Sequence, residues 1–376
     1  MVVPRARTQE APRQSAWVRL VQTAPVFSGL GIVLLVLIFG AAAAAVWVAG
    51  IHLSSSTDAL DMRLGFGQAL GGAVLLAIAT NLPELAITAS AALAHDLGIA
   101  IGNILGGIAI QTVVLVVLDV AMGKESALTT RAASLVLGLQ GLLVILVLSI
   151  SVMGAQLPAG RPFGRVEPAA LLIAVSWLVG IWLINRARRG LPWHDSTGTA
   201  PGGQEKPMGH SKAVAAAKIS IARASAVFAV AAAVTLVAGI VLERSGERIA
   251  NHVGISGVVF GATILAGATA LPEVSTGIAA IKLGDFQLAV SDIFGGNAFL
   301  PVLFLLAGVL SGSAILPQAQ PTDIYLTALG ILLTVVYGWG LITRPNRQIL
   351  RMGMDSLTVL LLYAAGIAGL IAVSNH

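Results

Sequence analysis

Apolar residues run along this chain in ten blocks, near 26–49, 65–93, 97–119, 132–153, 167–185, 222–242, 254–281, 286–310, 322–343 and 354–373. Each is continuous over about 20 residues, the length that carries an α-helix across a bilayer. Strands of a membrane barrel would alternate apolar and polar positions over about 10 residues, and these blocks do not. The pattern predicts an all-α integral membrane protein of about ten transmembrane helices. One long connection, 186–221, contains Gly-Thr-Ala-Pro-Gly-Gly and reads as a flexible linker. It divides the chain into an N-terminal extension (1–25), a first five-helix repeat (26–185) and a second (222–376).

Composition supports the bilayer as solvent. Of 376 residues 57% are hydrophobic and 10% charged, against roughly 25% charged in an ordinary soluble domain. The absence of cysteine excludes disulfides, thiolate metal sites and cysteine nucleophiles. The net charge of +5 is a topology signal before it is a nucleic-acid signal, and no nucleic-acid partner is expected. With the N-terminus outside, 14 of the 22 Lys and Arg residues fall on the cytoplasmic side, including the cluster from Arg186 to Arg223. Arg5, Arg7, Arg13 and Arg19 pull the first span the other way. The expectation is a bacterial-type inner or plasma membrane, with both termini outside, the 186–221 loop cytoplasmic, and lipid as the surrounding partner. There is no His-Glu-x-x-His, Gly-x-Ser-x-Gly or P-loop, so neither an enzyme nor a bound cofactor is expected.

Sliding residues 65–110 against 254–299, an offset of 189, gives 17 identities in 46 positions. Ala79-Thr80-Asn81-Leu82-Pro83-Glu84 meets Ala268-Thr269-Ala270-Leu271-Pro272-Glu273, and Gly102-Asn103-Ile104-Leu105-Gly106-Gly107 meets Ser291-Asp292-Ile293-Phe294-Gly295-Gly296. The copies begin in spans two and seven. Five spans apart, they enter the membrane in opposite directions, which makes an inverted repeat of the kind that places a binding site near the bilayer midplane.

The repeated residues carry chemistry. Each proline removes a backbone N–H and crowds the carbonyl four residues earlier, and such broken backbone survives at membrane depth only when buried in protein or lining a cavity. A carboxylate follows each proline. The glycine pairs let another backbone approach closely. The expectation is that helices 2, 3, 7 and 8 are broken and meet around a central ion site. Of 17 acids only Glu84, Glu273 and Asp292 lie well inside apolar blocks, and no Lys or Arg lies at matching depth. Intramembrane acids are functional by default. Their missing partner is most simply a cation, and carboxylate, amide and hydroxyl oxygens suit calcium, sodium or protons rather than zinc or copper.

The paired Thr-x-Leu-Pro-Glu motifs, each followed by Gly-Asn or Ser-Asp with Gly-Gly, resemble the two α-repeats of the calcium/cation antiporter superfamily, which includes sodium/calcium and proton/calcium exchangers. The resemblance implies Glu84 and Glu273 as the principal calcium ligands, with Asp292 also at the metal and Asn103 at the matching amide position. It implies Thr80 and Thr269 as hydroxyl-bearing ion-site residues, and Ala77 and Ala266 as carbonyl donors to an outer sodium site. Asn81 and Ala270 stand where the family usually has serine, so Asn81 is a substituted ligand or a supporting donor. Gln111 and Asn297 are supporting polar groups. The implied activity is exchange of Ca2+ against Na+ or H+ by alternating access, with another mono- or divalent cation, or a cation channel, as the alternative.

Overall fold

The computed structural model describes residues 29–64, 71–123, 126–158, 166–188, 220–255, 257–345 and 347–374. The N-terminal extension and most of the predicted 186–221 linker lie outside these residues. In chain order the helices are α1 (Ile32–Leu64), α2 (Gly71–Thr80), α3 (Leu82–Leu93), α4 (Leu97–Ala121), α5 (Leu128–Ala132), α6 (Leu135–Ala155), α7 (Pro168–Arg188) and α8 (Ile221–Val253). They continue with α9 (Gly261–Thr269), α10 (Leu271–Lys282), α11 (Phe286–Ser311), α12 (Pro321–Thr343) and α13 (Met354–Ser374). Among the described residues eight helices are long and apolar enough to cross a membrane, and the bent pair α9–α10 makes a ninth span. The α2–α3 pair occupies the remaining predicted block.

The sequence offset of 189 holds far beyond the segment in which it is visible. Ile32–Leu64 maps onto Ile221–Val253, and Leu82–Leu93 onto Leu271–Lys282, residue for residue. The N-caps repeat as well: Asp96 accepts a hydrogen bond from the Ile99 N–H (3.3 Å) at the start of α4, and Asp285 accepts one from Leu288 (2.9 Å) at the start of α11. An aspartate there satisfies an orphan amide and favours the positive end of the helix dipole.

The breaks fall where proline dictates. Asn81 (φ −87°, ψ 18°) separates α2 from α3, and Ala270 (φ −80°, ψ 5°) separates α9 from α10, with Pro83 and Pro272 in the first turn of the following helix. The second break bends the axis by 50°. The expectation that the third helix is also broken is corrected: α4 is continuous from Leu97 to Ala121. The eighth tightens to a 3₁₀ turn only at Leu300–Val302, around Pro301. Glycine alone keeps its N–H and brings no ring clash, so Gly106–Gly107 and Gly295–Gly296 leave the helix intact. Their use is close packing. The backbone of Gly106 lies against Ala262 of α9, and that of Gly295 against Ala77 of α2. Each half's third helix therefore grips the other half's broken helix.

The outer layer is exchanged in the same way. α1 lies along α10 of the second half, α8 lies along α3 of the first, and the two long helices pack against each other. They also run past the predicted ends at 49 and 242, to Leu64 and Val253, because that mutual packing continues through Ala59 and Leu60 beside Ala224 at one end and through Gly246 beside Phe39 at the other. At 1.5 Å per residue a 33-residue helix is about 50 Å long, longer than the roughly 30 Å hydrocarbon core, so both must tilt or protrude. α6 and α12 complete the scaffold around α4 and α11, with Phe294, Phe304 and Tyr337 among its buried side chains. Val33, Val230, Trp339 and Leu361 point outward, an apolar exterior suited to lipid.

Loops group on two faces as the alternation of spans requires. On one, Asp119 accepts from the Leu128 and Gly353 amides (both 2.7 Å), Thr129 donates to Asp355, Thr130 donates to Pro345 O, and the Arg131 guanidinium sits over the Phe286 ring. On the other, Glu167 accepts from the Ile315 and Leu316 amides. Burial raises the Glu167 carboxyl above the ordinary range, and those two N–H groups oppose the rise.

Gly50 and Gly239, equivalent across the repeat, seat the long helices on the breaks. A Cβ on Gly50 would lie 2.7 Å from the Pro272 Cα, and one on Gly239 would lie 3.0 Å from the Pro83 Cα. Both sit in the same Val-Ala-Gly-Ile string, 48–51 and 237–240. Overpacking of this kind costs about 1–3 kcal/mol, so Gly50→Ala is expected to lower the melting temperature of the purified protein by several degrees. Gly40→Ala on the open side of α1, with nothing within 4 Å, is the control and should leave it unchanged or slightly raised.

Candidate functional site

The two breaks bring their polar residues together across the pseudo-twofold, each half completing the other. Glu84, Glu273, Thr80, Thr269, Asn81 and Gln111 are all at most 1% exposed, and Asp292 is 1% exposed. The Thr269 hydroxyl and the Gln111 amide face Glu84, while Thr80 faces Glu273. Each threonine thus serves the other repeat's glutamate. The charges acting on Glu273 are those of Glu84 and Asp292, both of its own sign.

Two lobes follow from this exchange. The first holds the Ala77 carbonyl, Thr80, Asn81, Glu273 and Asp292. Asp292 accepts a hydrogen bond from Thr276 (2.6 Å) on one oxygen and from Thr80 (3.4 Å) on the other. The second holds the Ala266 carbonyl, Thr269, Ala270 and Glu84. Asn103, half-buried at its edge, donates its amide to Glu84 O (3.0 Å) and to the Thr88 hydroxyl (3.1 Å), so it fixes the backbone that carries the glutamate. The Thr80 hydroxyl also lies 3.1 Å from Leu76 O and 3.3 Å from Ala77 O, and Thr269 lies 3.2 Å from Ala266 O. The single Thr80 proton can go to its own helix or to Asp292, not both, and whichever it takes leaves the hydroxyl's lone pairs as acceptors.

Donors are scarce among these oxygens. Glu84 Oε1 and Oε2, Glu273 Oε2 and Gln111 Oε1 are fully buried with no hydrogen-bond partner, as is the nearby Asn297 Oδ1. A buried acceptor left unsatisfied costs about 1–3 kcal/mol, more when charged, so their persistence marks a site rather than a packing accident. Among the described residues no three His, Cys, Asp or Glu side chains stand as a ready-made metal cage. Asp292 is turned to Thr276. The oxygen set is mixed instead, of carboxylate, hydroxyl, amide and backbone carbonyl, the hard donors that suit sodium and calcium.

Of the residues singled out in the sequence, Glu84, Glu273, Thr80, Thr269, Asn81, Asp292, Ala77 and Ala266 meet at the two breaks, and Asn103 borders them. Asn81 spends its amide nitrogen on Ala77 O (2.7 Å). Gln111 stands at the centre rather than behind it, donating to Asn81 Oδ1 (2.8 Å) and approaching Glu273 Oε1 (3.4 Å). Asn297 stays a supporting group, donating to Thr112 (2.9 Å). Thr276, Thr88, Gly50 and Gly239 went unread, although the repeated Val-Ala-Gly-Ile string carried the signal for the glycines.

The sequence pattern of the sodium/calcium exchanger protein family matches residues 34–184 and 223–372, most of both halves. This chain belongs to that family. The exchanger-family chain is 26% identical over 300 residues to the inner membrane protein YrbG of Escherichia coli K12, covering 79% of this chain and 86% of that one. Its fold is similar to that of the sodium/calcium exchanger from Methanococcus jannaschii, with a TM-score of 0.56 and 17% identity over 90% of this chain and 99% of the other. It is also similar to an H+/Ca2+ exchanger, CAX, with a TM-score of 0.63 and 12% identity over 95% of this chain and 91% of the other. The exchanger family's inverted-repeat, all-α membrane fold is therefore the fold of this chain.

Removing one unpartnered buried charge should stabilise the ion-free protein, since an uncompensated charge costs several kcal/mol in such surroundings. In divalent-free buffer Glu84→Gln is expected to melt several degrees above the parent chain. Added calcium should raise the melting temperature of the parent and not of the variant. A fall in the variant's melting temperature, with calcium still stabilising it, would show that Glu84 has a structural partner.

Proposed function

We propose that this exchanger-family chain is a secondary antiporter that moves Ca2+ across the membrane against Na+ or H+. It is neither an enzyme nor dependent on a bound cofactor; the ions are its substrates. The observation that carries the reading is the set of four partnerless buried oxygens, on Glu84, Glu273 and Gln111, where the two halves meet. In a dry interior such a set binds a cation far better than it tolerates its absence.

Antiport follows if the two ion loads compete for those oxygens. With two or three carboxylates in one enclosure, the site is costly when empty and neutralised by either a divalent ion or its replacements. The protein then crosses between outward- and inward-open forms only when loaded. α1 and α8 are the elements suited to that movement. Each covers the other half's break, with Gly50 close against Pro272 and Gly239 close against Pro83. Orientation with both termini outside rests on the positive charge of the 186–221 connection.

Flux in proteoliposomes tests the reading. An outward-directed sodium or proton gradient should drive calcium uptake, whereas voltage alone should not. Glu84→Gln and Glu273→Gln should each reduce that uptake at least tenfold. Uptake that needs no counter-ion gradient would make the protein a channel, and unchanged transport in either variant would remove its glutamate from the site. The cysteine-free sequence also allows a topology test. A single cysteine replacing Glu205 should be labelled only from the cytoplasmic side, and one replacing Gln318 only from the outside.

A further inference from the structure

The two lobes share a plan but differ at one pair of equivalent positions, Asn81 in the first and Ala270 in the second. A chain of hydrogen bonds fixes what that difference does. The Ala77 carbonyl can only accept, so Asn81, 2.7 Å away, must present its NH2 to it. Asn81 Oδ1 then faces Gln111 at 2.8 Å, so Gln111 must present its NH2 in turn. The same NH2 lies 3.4 Å from Glu273 Oε1, and Gln111 Oε1 is left buried and without a donor. The orientation of both amides, ordinarily ambiguous, is thus dictated by one backbone carbonyl.

Packing holds this arrangement in place. A Cβ on Gly296 would stand 2.5 Å from the Asn81 amide nitrogen, and Gln111 Oε1 lies 3.5 Å from the same point, so glycine at 296 leaves the space these amides fill. Gly107 is its repeat counterpart. A Cβ there would meet only Leu300 and Glu84 at 3.6 and 3.9 Å, with no amide nearby. Beside Ala266, a hydroxyl (Thr269) and the ordinary helical N–H of Ala270 are the groups on the carbonyl.

A cation beside the Ala77 carbonyl would need to be ringed by that oxygen, by Glu273 and by the Thr80 hydroxyl. The structure puts N–H groups among those oxygens. We propose that Asn81 and Gln111 form a built-in amide substitute for a cation in the first lobe, confining the monovalent counter-ion to the second lobe by Ala266, Thr269 and Glu84. This rests on the antiporter reading and sharpens it. The pair is a specificity element that reduces how many monovalent ions compete with the divalent one, and the partial positive charge of its N–H groups supplies part of what an ion would bring.

Binding of radioactive calcium to the purified full-length protein, displaced by increasing sodium chloride, tests it. The parent chain is expected to give a shallow displacement curve, with a Hill slope near one. Asn81→Ser, which uncovers the Ala77 carbonyl and adds a hydroxyl, should steepen the curve and lower the half-displacing sodium concentration at least fivefold, measured relative to that variant's own sodium-free calcium affinity. The mirror variant Ala270→Asn, for which Gly107 leaves room, should make calcium binding insensitive to sodium up to the highest concentration used. Calcium binding by Asn81→Ser that sodium displaces with the parent's slope and relative half-displacing concentration would overturn the proposal. Should that variant fail to fold, undiminished sodium competition in Ala270→Asn would do so. A parent chain that binds no calcium would instead strike down the antiporter reading itself, and this inference with it.

Discussion

Everything in this molecule is arranged around carboxylates placed where water cannot reach them. A charge in the membrane interior is tolerated only if something of opposite sign comes to it, and the charges acting on Glu273 from within the protein, those of Glu84 and Asp292, share its own sign. The fold creates that demand at a defined point. Two prolines interrupt two helices, the interruption exposes backbone and side-chain oxygens, and two long helices cover it. The family's transport chemistry needs no reactive group. It needs an enclosure whose empty form is unfavourable and whose walls can be uncovered from either side.

Duplication explains how so small a set of residues achieves this. Every element is used twice in opposite orientation, and the contacts are exchanged: Gly106 with Ala262, Gly295 with Ala77, Gly50 with Pro272, Gly239 with Pro83. Neither half can complete its own site, because each threonine serves the other half's glutamate. Exact symmetry would nevertheless give two equal lobes. The places where the copies have drifted, Asn81 against Ala270 and Asn103 against Asp292, are where the lobes acquire different charge and different hydrogen bonding.

Much of this was legible in the sequence, for physical reasons. Ten apolar blocks, an offset of 189 and two Leu-Pro-Glu strings announce spans, inversion and breaks, since hydrophobicity and proline act locally. The glycines of the third and eighth helices misled, because they mark close approach from a neighbouring helix and not a change in their own. The true ends of α1 and α8 were hidden by polar residues such as Ser56 and Thr57, which are buried within the helix rather than ending it. Gln111 could not be ranked from the sequence at all. Its importance comes from reaching Asn81 and Glu273 at once, residues 30 and 162 positions away.

The most direct measurement of the central claim is an experimental structure of the protein soaked with strontium or calcium, with the ion located by anomalous scattering. The account predicts a peak between Glu84 and Glu273, within coordination distance of both, and its disappearance from crystals soaked in a large excess of sodium. A peak elsewhere, or the two carboxylates hydrogen-bonded to protein groups with no ion between them, would contradict it.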